Sequence, residues 1–213
     1  MDQQTVRGAT RRGRPSIARA NALDSDILKA ASEMFLRDGF DAVSMEAIAG
    51  AVPLSKTTLY ARFPSKQVLL EAVIKDQIQQ WSADTSNKIP PLPEDIGIRL
   101  RVHMRAMAVA MRSPAVQGFM KLGFVLADRL PTLARLMHEQ GHMYNVASIR
   151  AEIEAAAARD KIPVRDAEAV ARHLVNSVAG WNIQEAGRGP SEEEALAAAD
   201  DVVMLFMAAR WAW

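Results

Sequence analysis

Apolar residues recur at three- and four-residue steps along almost the whole chain, and no stretch alternates in the manner of a strand. Ile27, Ala30, Ala31, Met34 and Phe35 form one stripe, which predicts a helix over 24–37 with Gly39 as its left-handed exit. Met45, Ile48, Ala49 and Val52 form a second, shorter stripe with Ser44 placed as its N-cap. Pro53 and Leu54 interrupt it. Ser55 then caps a third helix over 56–63, with Leu59 and Phe63 facing inward, and Pro64 stops it. Ser65 opens a fourth, continuing to about 81 with Val68, Leu69, Ala72, Val73 and Ile78 on its inner face. Two short helices joined by a tight turn predict a helix-turn-helix, whose second helix can lie in a DNA major groove.

The rest of the chain has the same period. A Ser-, Asn- and Pro-rich stretch over 82–93 predicts a loop. Helices are expected over 94–112, 115–127, 131–159 and 166–186. A last one opens at Ser191, where Ser191 and Glu194 form a capping box. The expected fold class is all-α with about nine helices.

The polar residues on the third helix sharpen this picture. Lys56, Thr57, Thr58, Tyr60 and Arg62 are all hydrogen-bond donors on a short helix. The alternative is an ordinary helix pair with a solvated face. Charge adds to the first reading. The 213-residue chain has a net charge of only +1, but residues 1–20 hold Arg7, Arg11, Arg12, Arg14 and Arg19 against Asp2 alone. Residues 1–20 are polar and aperiodic and read as a disordered basic arm. Arg12-Gly13-Arg14-Pro15 has the R-G-R-P core of minor-groove binders, so Arg12 and Arg14 are candidates for a narrow A·T groove. A basic tail that adds only salt-dependent phosphate attraction fits the same residues.

The run from the first stripe to the fourth helix strongly resembles the DNA-binding domain of the TetR (tetracycline-repressor) family of bacterial transcriptional regulators. Gly39-Phe40, Ser44-Met45, Ile48-Ala49, Ser55, Leu59-Tyr60, Phe63 and Ser65-Lys66 carry the resemblance. Three positions depart from the family pattern. Val52-Pro53-Leu54 stands for A-G-V in the turn, Thr57 for a Gly, and Arg62 for an aromatic residue or His before Phe63. Proline in place of the turn glycine predicts a different turn conformation.

The resemblance implies a helix-turn-helix domain over 21–80 and a helical ligand-binding and dimerisation domain over 81–213. It implies a regulator, most simply a repressor, that binds a palindromic operator as a homodimer in the cytoplasm and is released by a small-molecule effector. Ser44, Ser55, Thr58, Tyr60 and Lys66 are then expected at phosphates, and Lys56, Thr57 and Arg62 at base edges. Trp81, Met104, Met107, Phe119, Phe124, Tyr144 and Trp181 are expected to line the ligand pocket, whose residue types imply an apolar or aromatic ligand. Leu174 and Val178, with Val202, Phe206, Ala209 and Trp213, are expected at the dimer interface. The competing reading is a helical DNA-binding protein with no small-molecule effector.

Other classes find little support. Cysteine is absent, so no disulfide or thiolate chemistry is available. There is no G-x-S-x-G, no Gly-rich phosphate loop and no paired carboxylate set, and the expectation is a non-enzyme without cofactor. His138 and His142 share a helix face, but only Glu139 stands near as a third ligand and points elsewhere, so no metal is expected. No secretory core occurs in the first 30 residues, and no apolar run approaches membrane-spanning length.

Overall fold

The structure, a computed structural model, describes residues 17–88 and 92–213. Helices account for its regular structure: among the described residues there is no strand. The first helix, α1 (Ile17–Asp38), starts seven residues before the expected position. No breaker lies between Pro15 and Gly39, so the alanine-rich lead-in continues the helix. Part of the expected arm is therefore helical, while Arg12 and Arg14 lie outside the described residues. Gly39 closes α1 at φ +83°, donating its N–H to the Phe35 carbonyl at 3.1 Å.

Two short helices follow, α2 (Met45–Ala51) and α3 (Lys56–Arg62). Both caps are made as the sequence predicts. Ser44 Oγ accepts from the Ala47 N–H and Ser55 Oγ from the Thr58 N–H, each at 3.1 Å. Val52 leaves α2 in an extended conformation, and the Leu54 N–H reaches back to the Val52 carbonyl at 2.7 Å. Among the described residues positive φ occurs only at Gly39, Lys161 and Gly189, so this turn needs no glycine and Pro53 fits it.

The fourth helix, α4 (Lys66–Lys88), overruns the expected loop at 82–93 by seven residues. Ser, Thr and Asn are weak helix formers, but propensity is a small term once a helix is already packed. Next come α5 (Ile96–Met111) and α6 (Pro114–Leu126). The single helix expected over 131–159 is continuous but not uniform. It runs as α7 (Pro131–Leu136), a π-helical turn (Met137–His142) and α8 (Met143–Asp160). Counting that run once gives nine helices among the described residues. α9 (Ala167–Glu185) and α10 (Glu192–Ala208) complete the chain, with the Ser191–Glu194 capping box formed. A short 3-10 turn, Arg210–Ala212, follows.

These helices enclose two hydrophobic clusters. The first joins Ile27, Phe35, Ile48 and Leu59 of the amino-terminal helices to Leu69, Leu70, Val73 and Ile74 of α4, and continues into Phe119, Leu126 and Leu133 of α6 and α7. The second unites α5, α8, α9 and α10 around Leu100, Met104, Ile149, Ile153, Leu174 and Val203. Replacing Leu70 by Ala, at a wholly buried position of α4, should lower unfolding free energy by about 2–5 kcal/mol in urea titration. The loss should also appear in a probe of the α5–α10 cluster, because α4 packs against α5.

Candidate functional site

Two regions stand out, one on the surface of α3 and one inside the body. On α3, Lys56 and Thr57 are exposed, and so is Tyr60. Ser55 Oγ and Thr58 Oγ1 lie 2.8 Å apart, so these two hydroxyls already hold one another at the helix start. The acid that faces this surface was not anticipated. Glu46 on α2 accepts from the Tyr60 hydroxyl at 3.3 Å and lies 3.9 Å from Lys56 Nζ. Desolvation, then the Glu46 charge, raises the Tyr60 phenol above its ordinary value, which keeps it a donor. The signal for Glu46 was present: it is the only charged residue of α2, set on its outer face.

Two of the expected DNA-contacting residues do not join this face. Arg62 Nη1 donates to Asp24 Oδ1 and, at 3.4 Å, to the Ala20 carbonyl, tying α3 to α1. Lys66 Nζ donates to the carbonyls of Phe40 at 2.7 Å, Val43 at 2.8 Å and Asp41 at 3.3 Å. It also sits 4.5 Å over the Phe40 ring. Both charges fix the internal geometry of the helix-turn-helix.

The second region is a cavity of about 300 Å³ where the two hydrophobic clusters meet. Of the expected lining residues, Trp81, Met104, Met107, Phe119 and Tyr144 are there. Trp81 and Phe119 face each other at 6.0 Å and 59°. Phe124 is not. It is 66% exposed and lines a separate outer groove with Val125 and Ile183. Trp181 lines neither space and packs half-buried on the second cluster. The assignment failed at these two because residue type does not reveal which side of a helix looks inward.

The cavity also has lining residues that were missed. Ile74 and Ile78 come from α4, Met137, Gly141 and His142 from the π-helical turn, and Asn145 and Ser148 from α8. Helical spacing could have found Gly141 and Ser148, which stand three before and four after the expected Tyr144. His103 of α5 also lines it. Its Nε2 lies 3.5 Å from Glu152 Oε1. Glu152 is itself gripped by Arg99 through two nitrogens, one contact being Nη2 to Oε1 at 2.8 Å. Arg99 thereby holds the Glu152 carboxyl below its ordinary range, while burial pushes His103 down and favours the neutral ring. Burial lowers His142 too, with the stacked His138 ring 5.3 Å away adding to it.

The expected interface residues divide. Leu174, Val178 and Trp213 are buried within the subunit. Val202 and Phe206 are half-buried against the second cluster, and Ala209 is exposed. The apolar surface that α10 and its following turn leave open is instead Met204, Leu205 and Trp211, the last 85% exposed. Each helix has two apolar stripes, and the sequence alone does not say which one meets its own core.

Comparison with known proteins adds to this geometry. The family profile described as bacterial regulatory proteins, tetR family, matches residues 27–73. That of the AefR-like transcriptional repressor carboxyl-terminal domain matches residues 99–209. The DNA-binding transcriptional repressor TetR of Mycobacteroides abscessus is 34% identical over 58 residues, 27% of this chain and 30% of that protein. The HTH-type transcriptional regulator UidR of Escherichia coli is 32% identical over 109 residues, 45% of this chain and 55% of its own. The chain thus spans 30% and 55% of the length of these two curated relatives. Among solved structures, a TetR-family regulator from Mesorhizobium loti superposes with a TM-score of 0.78 at 25% identity, covering 89% of this chain and 97% of that one. The flavonoid-responsive regulator FrrA does so at 0.72 and 26%, with the same coverage.

Replacing Lys66 by Ala leaves three loop carbonyls without their donor. Thermal unfolding should show a loss of about 1–3 kcal/mol. A stability equal to the unsubstituted protein's would return Lys66 to the solvent-facing set.

Proposed function

The chain belongs to the tetracycline-repressor family of bacterial regulatory proteins, and we propose that it is a cytoplasmic repressor that binds a palindromic operator as a homodimer and leaves it when a small, largely apolar ligand fills the cavity. Residues 21–80 read DNA in this scheme, and residues 81–213 take the ligand and form the dimer. The observation that carries the reading is that one helix serves both regions. α4 packs the DNA-binding helices at Leu69, Leu70 and Val73, and walls the cavity at Ile74, Ile78 and Trp81.

In the complex, Lys56 and Thr57 reach base edges. Ser44, Ser55, Thr58 and Tyr60 position the helix on phosphates. Glu46 holds Lys56 and Tyr60 in the free protein, and a phosphate takes its place at the operator. The basic arm, with Arg12 and Arg14, adds salt-dependent attraction. FrrA is described as flavonoid-responsive, and a flat, largely apolar effector suits the Trp81, Phe119 and methionine walls here. The ligand acts by preferring a spacing of the two heads that misses successive major grooves.

DNA selected from a random pool by the full chain tests the first half. Lys56→Ala should shift sequence preference by about 1–3 kcal/mol per affected base pair. Tyr60→Phe should weaken all sequences alike. Deletion of residues 1–16 should flatten the salt dependence and leave preference at the centre of the site unchanged. Selection of no consensus, or an unchanged consensus in Lys56→Ala, would remove α3 from recognition.

The dimer surface is proposed at Met204, Leu205 and Trp211 with Ile183 of α9, all exposed in the subunit. An apolar patch of this kind marks an association surface. Leu205→Glu places two charges in the shared face of a two-fold pair, each costing several kcal/mol if left unpaired. Sedimentation should then show monomer and the selected DNA should no longer bind, with helix content intact. A dimeric Leu205→Glu protein would move the interface elsewhere.

A further inference from the structure

We propose, resting on the reading of the cavity as an effector site, that its ligand is an uncharged aromatic molecule carrying a hydroxyl group, and that His103 is the acceptor that selects it. Charge comes first. Among the described residues, none of those lining the cavity is Lys, Arg, Asp or Glu. A carboxylate or ammonium would enter a space whose lining offers no lysine, arginine, aspartate or glutamate to pair with it, and an unpaired buried charge is strongly unfavourable. The aromatic preference comes from Trp81 and Phe119, tilted toward each other, and from Met104, Met107 and Met120, whose sulfurs make favourable contacts with ring edges.

The hydroxyl follows from a chain of three side chains. Arg99 donates to the Leu92 and Pro93 carbonyls through Nη1, each at 3.3 Å, and grips Glu152 through Nε and Nη2. That leaves Glu152 an anion facing His103 Nε2 at 3.5 Å. A ring nitrogen beside a carboxylate carries the proton, because a lone pair there would be repelled. In the neutral ring the other nitrogen, Nδ1, is then an acceptor. Neither Arg99 nor Glu152 lines the cavity, whereas His103 does. His103 thus brings to the cavity an imidazole whose tautomer is set from behind by Glu152, and the group that satisfies its acceptor nitrogen is a donor. Asn145, Ser148 and the second lining imidazole, His142, offer partners to another polar edge of the same molecule.

Four rigid probes of closely similar size test this by calorimetry on the full chain at pH 7, where a phenol keeps its proton. They are biphenyl, 4-phenylphenol, 4-methoxybiphenyl and biphenyl-4-carboxylate. The phenol should bind about tenfold tighter than biphenyl, the gain of one buried hydrogen bond. The methyl ether keeps the oxygen but lacks the donor, and should fall to the level of biphenyl. The carboxylate should not bind. In His103→Leu the phenol should lose its advantage while biphenyl still binds, which shows that the cavity has survived the substitution. Equal binding of phenol and ether, binding of the carboxylate, or a phenol advantage that persists in His103→Leu would overturn the proposal. Biphenyl binding in those cases leaves the effector-site reading standing. Failure of all four probes, biphenyl included, would overturn both.

Discussion

The DNA-binding helices are held to the body where α6 passes close to α1 and to the π-helical turn, at two glycines. A Cβ at Gly118 would lie 2.6 Å from Leu36 Cδ2 on α1, and one at Gly123 would lie 2.4 Å from Met137 Sδ on the π-helical turn. A side chain at either position would require Leu36 or Met137 to turn aside. Through these approaches the backbone of α6 rests on α1 at one point and on a wall of the cavity at another. Polar ties run beside this contact. Arg129 grips Asp41 through two bonds of 2.8 and 2.9 Å, and Thr132 donates to Glu71 at 2.7 Å. Protein interiors are close-packed and yield little. Met137 thus stands between the cavity and Gly123 of α6, and Gly118 of the same helix stands against Leu36 of α1. The head thus touches the cavity walls along two helices, α4 and α6, which is why the first hydrophobic cluster does not stop at residue 80.

Much of this was legible in the sequence, and the parts that were share a property. Ser44, Ser55 and the Ser191–Glu194 pair are local devices whose partners lie three residues away. The stripe of α1 and the core positions Ile48 and Leu59 also follow from spacing within one element. The contacts that were not legible are non-local. Arg62 looks like a free donor until Asp24, 38 positions earlier, is known to meet it. Lys66 looks free until the loop carbonyls more than twenty residues before it close around its ammonium. The π-helical turn inserts a register shift into a run that reads as uniform helix, and it brings Met137, Gly141 and His142 to the cavity together.

The carboxyl-terminal helices show the same limit in another form. Trp211 and Trp213 stand two residues apart and have opposite fates. Trp213 turns into the second cluster, donates its indole N–H to the Phe206 carbonyl at 3.0 Å, and accepts from the Arg165 N–H at 2.8 Å. Nearby, Arg159 and Arg210 hold Asp160 down to about 2, so that ionised carboxylate joins the end of α8 to the turn after α10. With these ties the turn is fixed in rotation, and Trp211 is carried to the outside. The face of α10 that reaches solvent is then set by what anchors its end, and no count of apolar positions along the helix contains that information.

The placement of Glu46 bears on how affinity and selectivity divide along the chain. On the face proposed to meet DNA an acid opposes phosphate at any sequence, and residues 21–80 as a whole hold more acidic than basic residues. The basic excess lies in residues 1–20. Sequence-independent attraction scales with the number of cations brought to phosphates. α2, α3 and the start of α4 supply few of these, since Arg62 and Lys66 are engaged internally, and Lys56 faces Glu46. On the proposed reading, such a head gains little charge attraction where the bases do not match. A low basic charge on the helix-turn-helix is on this account a source of discrimination, with the arm left to raise affinity for any duplex.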